Sequence, residues 1–124
     1  MSGQSEGLLA MGAAAKAAAK VLAQADTARK NAALIAMAGE IRAASAEIAA
    51  ANGADVTAAR AKGLTPAFLD RLSLGEKRIA AMAASLEEIA ALTDPVSAVM
   101  ARWTRPNGME ISRIRVPIGV IGII

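Results

Sequence analysis

The side chains able to do chemistry in this chain are carboxylates, lysines, arginines, amides and hydroxyls, because it contains neither cysteine nor histidine. Thiolate attack, thiolate metal sites and disulfides are thereby excluded from these residues. Imidazole acid–base catalysis and imidazole metal ligation are excluded with them. A self-sufficient active site is therefore not expected. Arg71, Lys77 and Arg78 flank the start of a predicted helix, where cations can meet an incoming phosphate or carboxylate. The plainer reading, a solvated helix face, is preferred, because basic side chains on amphipathic helices usually signify no more. Asn31 and Asn52 read as hydrogen-bonding residues at helix ends rather than as ligands. Trp103 reads equally as a subunit-interface anchor and as a local sheet-packing residue.

The elements that must position these residues are mostly helical. Leu8, Met11, Ala15, Ala18 and Leu22 recur at helical spacing with Lys16, Lys20 and Gln24 on the other face, which predicts an amphipathic helix ending near Ala25. Asp26-Thr27 offers capping oxygens to a second helix with the stripe Leu34, Met37, Ile41, Ala44 and Ile48, running to about Ala51 and closed by Asn52-Gly53. A short third helix is predicted over 55–62 with its stop at Gly63, and Thr65-Pro66 opens a fourth. Ser73-x-x-Glu76 has the form of a capping box. It predicts a fifth helix with the stripe Ile79, Met82, Leu86 and Ile89, ending before Asp94-Pro95.

From Val96 the period changes. Val99, Ala101 and Trp103 alternate with Met100, Arg102 and Thr104, then Arg105-Pro106-Asn107-Gly108 supplies turn chemistry before Met109, Ile111, Ile114 and Val116. This predicts a β-hairpin, with a bulge or change of sheet partner at Ser112-Arg113, where the apolar residues switch phase. The run 117–124 is apolar on both alternating faces, the pattern of a buried parallel strand. Because such a strand needs flanking partners, the chain is expected to be part of a longer protein.

With 124 residues, 55% apolar and 20% charged, the sequence has the composition of one small domain or a piece of a larger one. The net charge of +3 resides in the last segment, where Arg102, Arg105, Arg113 and Arg115 face only Glu110. Phe68 and Trp103 are the only aromatic residues, so no stacking platform for nucleic acid exists and none is expected as a partner. No apolar stretch approaches the roughly 20 residues that span a bilayer. The first residues lack the pattern of a secretory signal. The expected location is cytoplasmic, without membrane association.

Five stretches in register resemble one family: Asp26-Thr27-Ala28-Arg29-Lys30-Asn31-Ala32-Ala33-Leu34, Ala51-Asn52-Gly53-Ala54-Asp55, Phe68-Leu69-Asp70-Arg71-Leu72, the segment from Arg102-Trp103 to Asn107-Gly108, and the run from Val116-Pro117 to Ile123-Ile124. Together they resemble γ-glutamyl phosphate reductase. The resemblance implies the α/β fold of the aldehyde dehydrogenases, with the chain supplying its N-terminal part. In that reading, residues 1–95 are helices of the cofactor-binding domain, 96–116 an oligomerisation hairpin, and 117–124 the truncated first strand of the nucleotide-binding sheet. The implied reaction is NADPH-dependent reduction of L-glutamyl 5-phosphate to L-glutamate 5-semialdehyde in proline biosynthesis, through a thioester on a cysteine located in a later domain. No catalytic or metal-binding residue is expected here.

Ile123 and Ile124 would lie at the carboxyl end of that strand, where open α/β sheets bind ligands, and are the expected cofactor-binding residues. The run lacks a G-x-G-x-x-G fingerprint. A homo-oligomer built through the hairpin is expected. The alternatives are a free-standing helical interaction module and an aldehyde dehydrogenase of different substrate.

Overall fold

A computed structural model of the chain describes residues 2–123. In chain order its elements are α1 (Ser2–Leu22), α2 (Thr27–Ala43), α3 (Ser45–Ala61), α4 (Pro66–Leu72), α5 (Glu76–Ala91), β1 (Val99–Thr104) and β2 (Glu110–Ile114). They divide into two units, Ala28–Leu92 and Met1–Thr27 with Thr93–Ile124.

In the first of these units α3 contacts both α4 and α5. Its buried side chains are Ala38, Ala59, Ile79 and Ala83. Alanines at helix contacts allow close approach of the axes, and Ile79, the only large side chain fully buried among the described residues, fills the space that remains. The predicted stripe on α5 shifts accordingly. Met82 and Ile89 are about half exposed, and Ala83 takes the inward position one turn after Ile79.

The predicted second helix is two helices. The break falls at Ala44, whose φ of −85° and ψ of 5° leave the α region. Hydrogen bonds from Ala44 N to Glu40 O and from Ile48 N to Ala44 O, both 2.9 Å, carry the backbone across it. Asn52-Gly53, expected to terminate a helix, lies inside α3. The helix ends instead at Gly63, with φ of 74°. There Gly63 N reaches Arg60 O and Leu64 N reaches Ala59 O, at 3.0 and 3.2 Å, the paired bonds of a Schellman motif.

Thr65 caps α4 as its sequence predicts, its hydroxyl oxygen accepting from Phe68 N with Pro66 at the first helical position. The capping box at Ser73 does not form. Ser73 ends α4, its amide bonded to Leu69 O at 3.0 Å, and Gly75 is the N-cap of α5 without a side-chain cap bond.

In the other unit, β1 and β2 pair antiparallel with Trp103 opposite Ile111 and Thr104 opposite Glu110. Gly108 N bonds to Arg105 O at 2.9 Å, which closes the turn with Pro106 in its second position. Gly108 has φ of 83°, a left-handed conformation in which glycine carries no Cβ penalty. The expected irregularity is present but on the opposite strand: the register slips between Val99 and Ala101, across from Arg113 and Ile114.

Residues 117–123 form no strand here; the expected first strand belongs to the sheet of the complete protein. Gly119 turns with φ of 95°, and a buried strand requires ladder partners that none of the described residues supplies. From residue 6 onward the half-buried positions of α1 are Ala15 and Ala19, with Ala23 just past its end. The predicted stripe residues Leu8, Met11 and Leu22 are exposed.

Candidate functional site

Ile123 is 93% exposed, and Ile124 lies outside the described residues. The apolar run leading to them meets α1, where Gly12, Lys16, Ala19, Lys20 and Ala23 with Pro117, Gly119 and Val120 line a groove of about 470 Å³. Lys16 and Lys20, expected on the face away from the apolar stripe, stand beside this run. The arrangement offers two ammonium groups flanking apolar walls, and neither a nucleophile nor an acid–base pair.

The basic cluster near α5 has a structural use. Arg78 donates to the carbonyls of Asp70 and Ser73 and to the Asp70 carboxylate at 3.1 and 3.2 Å. It therefore binds the end of α4 to the start of α5 and does not stand open for a substrate phosphate. Arg71 and Lys77 are exposed.

Asn52 completes the same connection from α3. Its amide nitrogen donates to Leu72 O at 2.9 Å and its amide oxygen accepts from Leu74 N at 2.7 Å. Ile48, Asn52, Val56 and Ala59 follow one another at helical spacing, so Asn52 falls on the inner face of α3. That position was the available sign that it bonds to a neighbouring segment. Beside it a cleft of about 430 Å³ is lined by Asn52, Thr57, Arg60, Ser73 and Glu76 among others. Asn31 lies in the second turn of α2, half-buried and away from either helix end.

Arg42 of α2 and Glu87 of α5 form a two-pronged ion pair at 2.5 and 2.7 Å. The hydrogen bond to Arg42 holds the Glu87 carboxyl below its ordinary range, and the reciprocal bond raises Arg42. Both side chains are nearly half exposed, so the pair is a surface tie. Among the described residues no group of acidic side chains is placed to hold a metal ion, and no helix is long and apolar enough to cross a membrane.

Among the described residues, five helices followed by a two-stranded antiparallel hairpin are the arrangement of part of an aldehyde dehydrogenase-like protein. The crystal structure of γ-glutamyl phosphate reductase from Thermotoga maritima matches 84% of this chain with a TM-score of 0.79 and 39% identity, using 25% of that chain. The γ-glutamyl phosphate reductase of Rhodospirillum rubrum is 56% identical over 117 residues, covering 94% of this chain and 27% of its own. That of Syntrophomonas wolfei is 55% identical over 119 residues, covering 96% and 28%. No protein-family model matches. The chain belongs to the γ-glutamyl phosphate reductase family, and it spans about a quarter of the length of the curated relatives it matches.

Proposed function

We propose that the complete protein to which this sequence contributes reduces L-glutamyl 5-phosphate to L-glutamate 5-semialdehyde with NADPH, releasing phosphate, in the cytoplasm and as a step of L-proline biosynthesis. The observation that carries the reading is 54–56% identity to γ-glutamyl phosphate reductases across 89–96% of the chain. The chemistry is assigned to residues outside this sequence. A thioester route needs a thiolate, and the chain has no cysteine. NADPH, when bound, supplies the hydride, but the residues present do not fit a complete nucleotide site: Ile123 is exposed on an unpaired segment. Ile123 and Ile124 are proposed as part of its wall only within the complete enzyme. The hairpin is proposed to join a second copy of the protein, because its strands present open edges and it carries Trp103, the chain's sole tryptophan.

The test exchanges the matching segment of the Rhodospirillum rubrum reductase for this chain. The chimera is expected to oxidise NADPH in the presence of glutamyl phosphate, whereas the 124-residue chain alone is expected to show no turnover above background. A correctly folded chimera without activity would overturn the family function. Turnover by the isolated chain would overturn the assignment of the chemistry to other residues.

A further inference from the structure

Between α5 and β1 the backbone makes a sharp approach to the hairpin that is organised by a single carboxylate. Asp94 Oδ1 accepts from Val96 N at 3.0 Å, and Asp94 Oδ2 accepts from the Thr27 hydroxyl at 2.8 Å. One oxygen thus shapes the approach itself, while the other ties it to the junction of α1 and α2, 67 residues earlier. The next bonds follow in sequence. Ala98 N reaches Pro95 O at 3.1 Å, Ser97 N reaches Arg115 O at 2.9 Å, and Arg115 N reaches Ala98 O at 3.0 Å. Ser97 itself has φ of 66°, a left-handed conformation that a non-glycine residue adopts only where its surroundings impose it.

We propose that Asp94 is a positioning residue for the hairpin, fixing through Thr27 the direction in which β1 and β2 leave the α1–α2 junction. A hydrogen bond to an ionised carboxylate is stronger than a neutral one, and here it acts at the root of a two-stranded ribbon. A small rotation at the root becomes a large displacement at Pro106 and Asn107. The consequence for assembly rests on the proposal that the hairpin joins a second copy: a fixed direction would present its edge already oriented, lowering the ordering cost of association.

Trp103, as the sole tryptophan, reports the hairpin directly. Time-resolved fluorescence anisotropy of the 124-residue chain separates nanosecond swinging of the hairpin from tumbling of the whole molecule. Thr27→Val removes the hydroxyl at nearly constant shape, Thr27→Ser retains it, and Asp94→Ala removes the bonds to Val96 and Thr27 together with any other contact of the carboxylate. The expected result is a loss of residual anisotropy in Thr27→Val and Asp94→Ala, with Thr27→Ser matching the parent and circular dichroism showing the helices retained. Parental decay in Thr27→Val would overturn the proposal, and that variant decides the question if Asp94→Ala unfolds.

In the chimeric reductase, Thr27→Val is expected to raise the subunit dissociation constant roughly threefold to tenfold, a partial loss of one charge-assisted bond, and Trp103→Ala to shift sedimentation toward monomer. If Trp103→Ala keeps the parental mass while the anisotropy changes as stated, the assembly reading fails and the positioning role stands.

Discussion

An asparagine inside a helix ordinarily competes with the backbone for hydrogen bonds, and Asn52 is spared that conflict because its amide is engaged by the segment after α4. Asn52→Ala would leave the part-buried Leu74 amide without its acceptor. The expected cost is about 1–2 kcal/mol, read as a lower urea midpoint, with Asn52→Asp intermediate because it keeps the acceptor for Leu74 and loses the donor to Leu72. The Arg42–Glu87 pair makes a different prediction, in pH. Glu87 is depressed in the folded state by its bond to Arg42, so its contribution is complete above the ordinary glutamate value of roughly 4.3. That contribution is lost as pH falls through the lower folded value. The difference in melting temperature between the parent and Glu87→Gln should therefore be constant from neutral pH down to about 5 and vanish under stronger acid. A constant difference at every pH would show that the carboxylate charge contributes nothing.

At the scale of elements, the helices of residues 28–92 are joined by few large side chains, and the burden falls on Ile79. Ile79→Ala is expected to destabilise the chain by about 2–4 kcal/mol through lost burial and the cavity left behind. Met82→Ala, at a position 47% exposed, should change stability by about 0.5 kcal/mol or less. Urea titrations followed by circular dichroism compare the two. Equal losses would restore the stripe through Met82 that periodicity alone suggests. The hairpin follows another logic: Gly108 and Pro106 define its turn locally, whereas the register slip opposite Arg113 and Ile114 is a property of the pair. The phase change in β2 signalled an irregularity, and only the pairing showed that β1 absorbs it.

For the molecule as a whole, the exposed apolar side chains indicate how much of the architecture depends on neighbouring structure. Ile118, Val120, Ile121 and Ile123 are more than half exposed, although their sequence pattern is that of a buried strand. A strand is a relation between segments, and its backbone groups are satisfied only by partners. Leu8, Leu9, Met11, Val21 and Leu22 of α1 are likewise exposed. Relatives about four times as long provide the context in which the proposed activity is to be tested.

Legible in the residues were the helical periodicity of most of residues 8–91, the cap at Thr65, the stop at Gly63, the hairpin with its turn at 105–108, and the family resemblance. These are local properties, set by apolar periodicity, by the fixed φ of proline and by the tolerance of glycine for positive φ. Tertiary structure alone decided that the chain breaks at Ala44 and passes helically through Asn52-Gly53, that Ser73 ends a helix instead of opening one, and that Arg78 and Asp94 bind backbone segments together. For Asn52 and Asp94 the polar group is satisfied by segments 20 or more residues away, a relation that spacing along the chain does not encode.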